Sequence, residues 1–418
     1  MKKRMYLFLI SLLVAVFTLA ACAQTDDTGG ETPSEQPDGD SSSEQPDSTD
    51  SGSGGDSSDK PAQTVNIGYS GPLSGPAAYY GENTLTGLEL AVEEINEEGF
   101  EVDGQLYNIN LVALDDKYLP NETAANAKRL VQEHKTPIIF TPHSGGIFAL
   151  QVFNEQDNFI IGAYSSEPAI TEAGNSLTVR IPPSYAGYIE PFTTYAMERF
   201  GNKIAALPTN SQYGKDWTEA LLPYWEDQGG EVVYNSSIDF AKDTDFFTIL
   251  TNALEDDPDV LFIGGPSQPT AMVAKQAREL GFEGGFIVMD QAKLDEMTAV
   301  TGSYEALEGS IGVMPLIEAD YPGTPAFVEK YKAAHDKNPG SEAGLHYISM
   351  YVFIEAMKAA GSVDDPAAIY AQMQTGLDNL PEDKRVYEIP MIDEKGGFVA
   401  DLSVAAVEDG KVVPIPVE

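Results

Sequence analysis

Residues 65–75 read Val65-Asn66-Ile67-Gly68-Tyr69-Ser70-Gly71-Pro72-Leu73-Ser74-Gly75. Val65 to Tyr69 has the composition and length of a strand, and the Gly/Pro/Ser cluster behind it is turn chemistry. Leu85, Leu88, Ala91, Val92 and Ile95 then recur at helical spacing, and Gly99 stands where a helix stop belongs. Strand, loop and helix in that order form the repeating unit of a parallel α/β sheet.

Working outward, the unit recurs. A strand at 109–114 ends in Asp115-Asp116, followed by a helix at 121–134 with Ala124, Ala127, Leu130 and Val131 on one face. Pro137 to Phe140 is a short buried strand, 145–156 a helix, and Phe159-Ile160-Ile161 another strand. After residue 185 come helix 186–200, strand 203–207, helix 214–228, strand 231–235, helix 244–255, strand 259–263, helix 267–281 and strand 285–289. Strands buried on both faces by flanking helices read as short continuous apolar runs. So many units exceed one ordinary domain, so the expected fold is α/β, with two doubly wound parallel-sheet lobes. The first lobe is expected over 61–182 plus 311–390, and the second over 183–310 plus 391–418. Three chain crossings near 181–185, 305–312 and 387–394 would join them as a three-stranded hinge.

The front of the chain has a different texture. Lys2, Lys3 and Arg4 precede an apolar stretch from Tyr6 to Leu19, which marks residues 1–21 as a secretory signal. It ends in Leu19-Ala20-Ala21-Cys22, which resembles the bacterial lipobox, and Cys22 is the only cysteine in the chain. That resemblance makes Cys22 a lipid attachment point. Each buried acyl CH₂ contributes about 0.8 kcal/mol to membrane binding. Residues 23–60 carry no aromatic or branched aliphatic side chain. Such a segment cannot bury enough apolar surface to offset its chain entropy, so a disordered acidic tether spanning roughly 35 Å is expected.

The chain has 418 residues and a formal net charge of −42. Nucleic acid as a partner is excluded by the lack of clustered Lys/Arg. One cysteine excludes an intramolecular disulfide and a multi-cysteine zinc site. No Walker A sequence, H-E-x-x-H or EF-hand loop is present. No cofactor or metal is expected. His143 and Ser144 are adjacent, but adjacency alone does not make a nucleophile and base, and Pro142-x-Ser144-x-Gly146 lacks the first Gly of a nucleophile elbow. No enzyme is expected.

Ligands of open parallel sheets lie beyond the carboxyl ends of the strands. The loops there hold Tyr79-Tyr80-Gly81, Pro142-His143-Ser144-Gly145-Gly146, Tyr164-Ser165-Ser166, Asn210-Ser211-Gln212-Tyr213-Gly214 and Asp290-Gln291. Hydroxyls, aromatics and glycines with few formal charges suit a small polar or zwitterionic ligand. Tyr80 and Tyr213 can equally fill a lobe interface, and Ser144, Ser165 and Ser166 can be helix N-caps.

Taken in order, these segments resemble the type I periplasmic binding proteins of ABC importers, in particular the branched-chain amino acid (Leu/Ile/Val) binding group. Gly68 to Gly75 with Tyr80-Gly81, Gly87 through Asn96, Asp115-Asp116, Gln212-Tyr213-Gly214 and Asp393-Glu394-Lys395-Gly396 carry the resemblance over residues 64–410. It implies that Tyr80 packs on the ligand. It implies that His143 and Ser144 lie at a carboxylate site, and that Tyr164, Ser165 and Ser166 hold carboxylate and amine. Tyr213 would cover the ligand on closure, and Asp290 would pair with the α-amino group. His143 and Tyr164 stand where the group has smaller residues. The function implied is that of a monomeric, membrane-anchored extracytoplasmic lipoprotein that delivers a small amino acid to an ABC permease. A sensor that signals to a membrane receptor, or a binder of amides, urea or aromatic acids, would use the same fold.

Overall fold

The computed structural model describes residues 61–400 and 402–417. The signal, Cys22 and the tether lie outside the described residues. The strands are β1 (Gln63–Gly71), β2 (Phe100–Val102), β3 (Gln105–Asp115), β4 (Ile138–Thr141), β5 (Ile160–Ala163), β6 (Thr178–Arg180), β7 (Lys203–Pro208), β8 (Glu231–Asn235), β9 (Val260–Gly264), β10 (Gly285–Val288), β11 (Ser310–Val313), β12 (Met391–Ile392), β13 (Phe398–Val399), β14 (Val404–Glu408) and β15 (Lys411–Ile415). They form a six-stranded sheet of order β2-β3-β1-β4-β5-β6 and a seven-stranded sheet of order β15-β14-β11-β10-β9-β7-β8. β12 and β13 form a small ladder of their own.

Both large sheets follow from the buried alternation of their strands. In β7, Ala205 and Leu207 join one apolar cluster while Ile204 and Ala206 join another on the opposite face. β9 divides in the same way, Leu261 and Ile263 against Val260 and Phe262. Successive side chains of a strand point to opposite faces, so a strand covered on both sides must be apolar throughout. The first sheet likewise has Ile138 and Phe140 on one face and Ile139 on the other. Its first face is packed by the helix Ser341–Ala360, of whose 20 residues 16 are buried. Gly87 lets the helix Ala78–Glu98 cross it closely, since a Cβ there would lie 2.2 Å from the Ala343 carbonyl oxygen.

Several details depart from expectation. The sheets are mixed: β2 against β3, β11 against β14, and β14 against β15 run antiparallel. β3 begins at Gln105 because the turn at Asp103-Gly104 folds β2 back on it. The helix expected at 145–156 is two, Ser144–Gln151 and Asn154–Asp157. The first crossing lies near 181–185 as expected, but the other two fall elsewhere. Core membership changes between Ile181 and Tyr185, then between Met314 and Leu316. It changes last between Phe398 and Val404. β11 therefore belongs to the second sheet, so the second crossing follows Val313 instead of falling at 305–312. Residues 391–399 belong with the first sheet, through Phe398 in its core and the bridge of Gly397 to Arg180, so the last crossing is not at 387–394.

Candidate functional site

In the first sheet β1 lies between β3 and β4, and in the second β7 lies between β8 and β9. The chain reverses its winding at β1 and β7, and a crevice opens beyond the carboxyl ends of strands at such a point. One cavity with an empty volume of about 310 Å³ is lined from both sheets, by Tyr80, Tyr118, Pro142, His143, Ser144, Tyr164, Ser165, Ser166, Pro182, Tyr213, Asp290, Gln291 and Lys293. That volume is at the small end for ligand pockets. All eight candidate residues, Tyr80, His143, Ser144, Tyr164, Ser165, Ser166, Tyr213 and Asp290, line it.

The first-sheet wall is built on the helix Ser144–Gln151. His143 caps it: the Gly146 N–H donates to His143 Nδ1 at 3.0 Å, and the Ile147 N–H to the His143 carbonyl oxygen at 3.0 Å. A ring nitrogen that accepts at Nδ1 carries its proton on Nε2, and Nε2 lies 3.0 Å from Asp116 Oδ2. Both nitrogens are thus committed, and Ser144 Oγ pairs instead with Ser165 Oγ at 2.7 Å. Ser144, the first residue of that helix, lines the cavity, and the N-terminal turn of a helix favours an anion. Tyr80 Oη donates to the Pro142 carbonyl at 2.8 Å, fixing its ring in the wall.

The second-sheet wall centres on Asp290, just beyond β10. Its Oδ1 accepts from Tyr213 Oη and, at 3.0 Å, from Trp217 Nε1, both on the helix Gln212–Asp227. Among the described residues Oδ2 takes part in no hydrogen bond, so one carboxylate oxygen is anchored and one is available. Lys293 Nζ donates to the carbonyl oxygens of Asp290 and, at 3.1 Å, Gln291. Burial pushes the hydroxyls of Tyr80, Tyr164 and Tyr213 well above their ordinary range, so all three stay protonated and can donate.

The two walls touch. Ser166 Oγ donates to Tyr213 Oη at 3.4 Å, and Gln291 Nε2 to Tyr118 Oη at 3.1 Å. A second cavity of about 490 Å³ shares Tyr164, Pro182, Asp290 and Lys293 with the first and continues toward the crossings, past Met314, Tyr387 and Ser403. Tyr164 borders both, its ring centroid 4.5 Å from that of His346 and 6.4 Å from that of Tyr80.

Sequence reasoning missed Tyr118, Pro182 and Lys293, and did not single out Pro142 or Gln291 within the loops it chose. Tyr118 was findable, because it follows the carboxyl end of β3 as the chosen loops follow theirs. It is held at φ 64° by its N–H bond to Asp116 Oδ1 at 2.9 Å, and its ring stacks on His143 at 4.7 Å. Lys293 had no signal in its neighbours.

A paired-sheet fold with a polar cavity between the strand ends is that of a solute-binding protein of ABC transporter type. The family model described as "Periplasmic binding protein" matches residues 64–411, and the chain belongs to that family. Its members bind and do not catalyse, so the chain is a periplasmic or extracellular binding protein and not an enzyme. It is 25% identical over 311 residues to the leucine-, isoleucine-, valine-, threonine- and alanine-binding protein of Pseudomonas aeruginosa, covering 72% of this chain and 80% of that one. It is 24% identical to the Leu/Ile/Val-binding protein of Escherichia coli, over 74% of this chain and 82% of that one. Among solved structures, a leucine-binding protein of Thermotoga maritima superposes with a TM-score of 0.70 at 25% identity, over 84% of this chain and 98% of that one. A branched-chain amino acid transporter substrate-binding protein of Streptococcus pneumoniae, in complex with isoleucine, shares the fold with a TM-score of 0.70 at 23% identity, over 84% and 100%. Among the described residues no helix is long and apolar enough to cross a membrane.

Proposed function

We propose that this protein captures a small amino acid, of branched-chain type or a related small polar ligand, and delivers it to an ABC permease. Two lobes that close over the ligand do the capture, and a lipid on Cys22 anchors the molecule. The observation that carries this reading is a cavity lined from both sheets, with Ser144 at the start of its helix on one wall, where a carboxylate would lie, and Asp290 on the other, for an ammonium. The lobes are residues 61–182 with 316–399, and 185–314 with 404–417, as grouped by their cores. Ligand contacts from both would favour the closed form, which the permease would read.

The test is a thermal-shift panel on the full chain with L-amino acids, amides, urea and aromatic acids. A ligand at a hundredfold its dissociation constant stabilises by about 2.7 kcal/mol. Stabilisation by an aliphatic amino acid is expected. A shift with urea or an aromatic acid alone would replace the amino acid reading, and consumption of any hit would sink the binding reading altogether.

A further inference from the structure

Two pairs of acidic side chains meet across the cleft, each with one member from each side. In the first, Asn83 Nδ2 donates to Glu296 Oε1 at 2.8 Å and to Glu342 Oε1 at 3.0 Å. One amide nitrogen therefore pins two carboxyl groups together. Asn83 and Glu342 sit on first-sheet helices and Glu296 on the helix Leu294–Thr301 of the second. Glu342 is 0% exposed and Glu296 8%. Ser267 Oγ donates to Glu296 Oε2 at 2.6 Å, and Lys337 Nζ to Asn83 Oδ1 at 2.5 Å. Lys293 Nζ stands 3.9 Å from Glu342 Oε2, beyond hydrogen-bond reach. That oxygen is buried with no partner among the described residues. Asp295 and Tyr79 also face Glu296, and Tyr80, Tyr164, Tyr331 and Tyr387 face Glu342.

In the second pair, Glu167 follows β5 and is 3% exposed. Its Oε1 accepts from the Ala169 N–H at 3.2 Å and from Tyr185 Oη at 3.3 Å. Its Oε2 is buried and without a partner among the described residues. Asp216, half-buried on the second-sheet helix Gln212–Asp227, is the charged side chain of the other wall whose field acts on it.

Two carboxyl groups that face each other resist being charged together where at least one of them is kept from water, as Glu296, Glu342 and Glu167 are. A carboxylic acid O–H is the donor that each orphaned oxygen lacks. Parting the lobes would separate both pairs and return them to water. We propose that closing the cleft takes up protons, so that Glu296 with Glu342 and Glu167 with Asp216 act as latches that hold in mildly acidic surroundings and loosen in alkaline ones. This rests on the lobes opening and closing as set out above.

Burial first, and then the Glu342 charge, raise the Glu296 carboxyl well above its usual range. Burial works against the Glu342 charge, but Lys293 and the hydrogen bonds from Glu296 and Asn83 hold that carboxyl low, so it is the acceptor. Burial, with the Asp216 charge, pushes Glu167 up to about 7. A group raised in the closed form favours closure fully below its open-form value. The contribution is lost as pH rises through its closed-form value. For Glu167 that window runs from the ordinary carboxylate range to about 7, so the closing constant should fall about tenfold between pH 6 and pH 8.

The experiment reads closure without a ligand. The full chain with Cys22→Ser carries a dye pair at Val152→Cys and Leu280→Cys, two exposed positions on opposite lobes. Transfer efficiency is followed from pH 5.5 to 8.5. The closed fraction should decline with rising pH, Glu167→Gln should flatten the part below pH 8, and Glu296→Gln, with a permanent N–H donor, should stay closed at pH 8.5. Melting curves confirm that each variant folds. An identical pH response in all three proteins overturns the latches, as does closure that grows with pH. An efficiency that moves with a hit from the thermal-shift panel but not with pH overturns the latches alone. An efficiency that never moves overturns the closure on which they rest.

Discussion

Under the proposed function, Asp290 would serve both packing and binding. Tyr213 and Trp217 hold one of its oxygens, and the other is the one proposed to meet an ammonium group. Asp290→Asn keeps an acceptor for both but removes the charge. Affinity for an amino acid ligand should fall tenfold or more, as expected for a charge-assisted bond worth about 1.5–3 kcal/mol. The melting temperature should stay within about 2 °C. Calorimetry that finds equal affinity would remove Asp290 from the site. Tyr164 makes the opposite kind of prediction. It lines both the 310 Å³ cavity and the 490 Å³ one, so Tyr164→Ala should widen the space they share. Bulky amino acids such as phenylalanine should gain at least tenfold in affinity while alanine changes little, because a cavity wall sets selectivity by exclusion. An unchanged ranking across the amino acid panel would mean that Tyr164 is not the wall.

At the scale of elements, the helix Ser144–Gln151 depends on its cap. His143→Ala removes the Nδ1 acceptor and should cost about 1 kcal/mol in a denaturant titration. His143→Asn, which can cap in the same way, should recover part of it. An alanine variant as stable as the parent would show that the cap contributes nothing. This residue also marks the limit of sequence reading. Its place in the wall was legible from the strand before it, Pro137 to Phe140. Its partner Asp116 is 27 positions away, and no local pattern joins them. The central strands were legible because both faces are covered, which leaves runs such as Ile138-Ile139-Phe140 without a polar residue. β6, three residues long, gave too short a period to see. β11 was misplaced because Ile311 and Val313 look alike whether they end a sheet or cross between lobes. Its pairing decides between the two: parallel to β10 on one side and antiparallel to β14, some 90 residues later, on the other.

Across the whole molecule, charge is distributed with purpose in at least one place. Glu94 accepts from Lys330 at 2.7 Å, Lys384 at 2.8 Å, Tyr347 at 2.7 Å and Tyr351 at 2.6 Å, tying four segments of the first lobe together. Burial alone would raise its carboxyl, but these bonds outweigh it and hold it down to about 2. A lowered carboxylate stabilises above its unfolded value near 4.5, and the contribution is lost as pH falls through about 2. Glu94→Gln should therefore lower the melting temperature at pH 7 and lose most of that deficit near pH 2. A deficit independent of pH would assign the effect to packing. The wider excess is less local. Eleven acids against one base in residues 23–60, and three bases in residues 1–22, leave −35 on residues 61–418. The cavity lining holds one Asp and one Lys, so the field belongs to the surface, where it favours solubility over selectivity.

The antiparallel closure of the second sheet has a temporal side. β11 waits for β14, and the first lobe waits for the helix Ser341–Ala360, so each lobe is interrupted by the other along the chain. A polypeptide emerging from its N-terminus meets its first-sheet strands early but lacks the helix that covers one face until it is more than 80% made. Apolar strand faces stay uncovered for most of synthesis, the condition under which long-range sheets aggregate. Delayed folding of this kind is a hazard for a protein that folds where it is made. For one exported as an unfolded thread it is an advantage, because the same interruption that makes both lobes late keeps the chain slack until it has crossed.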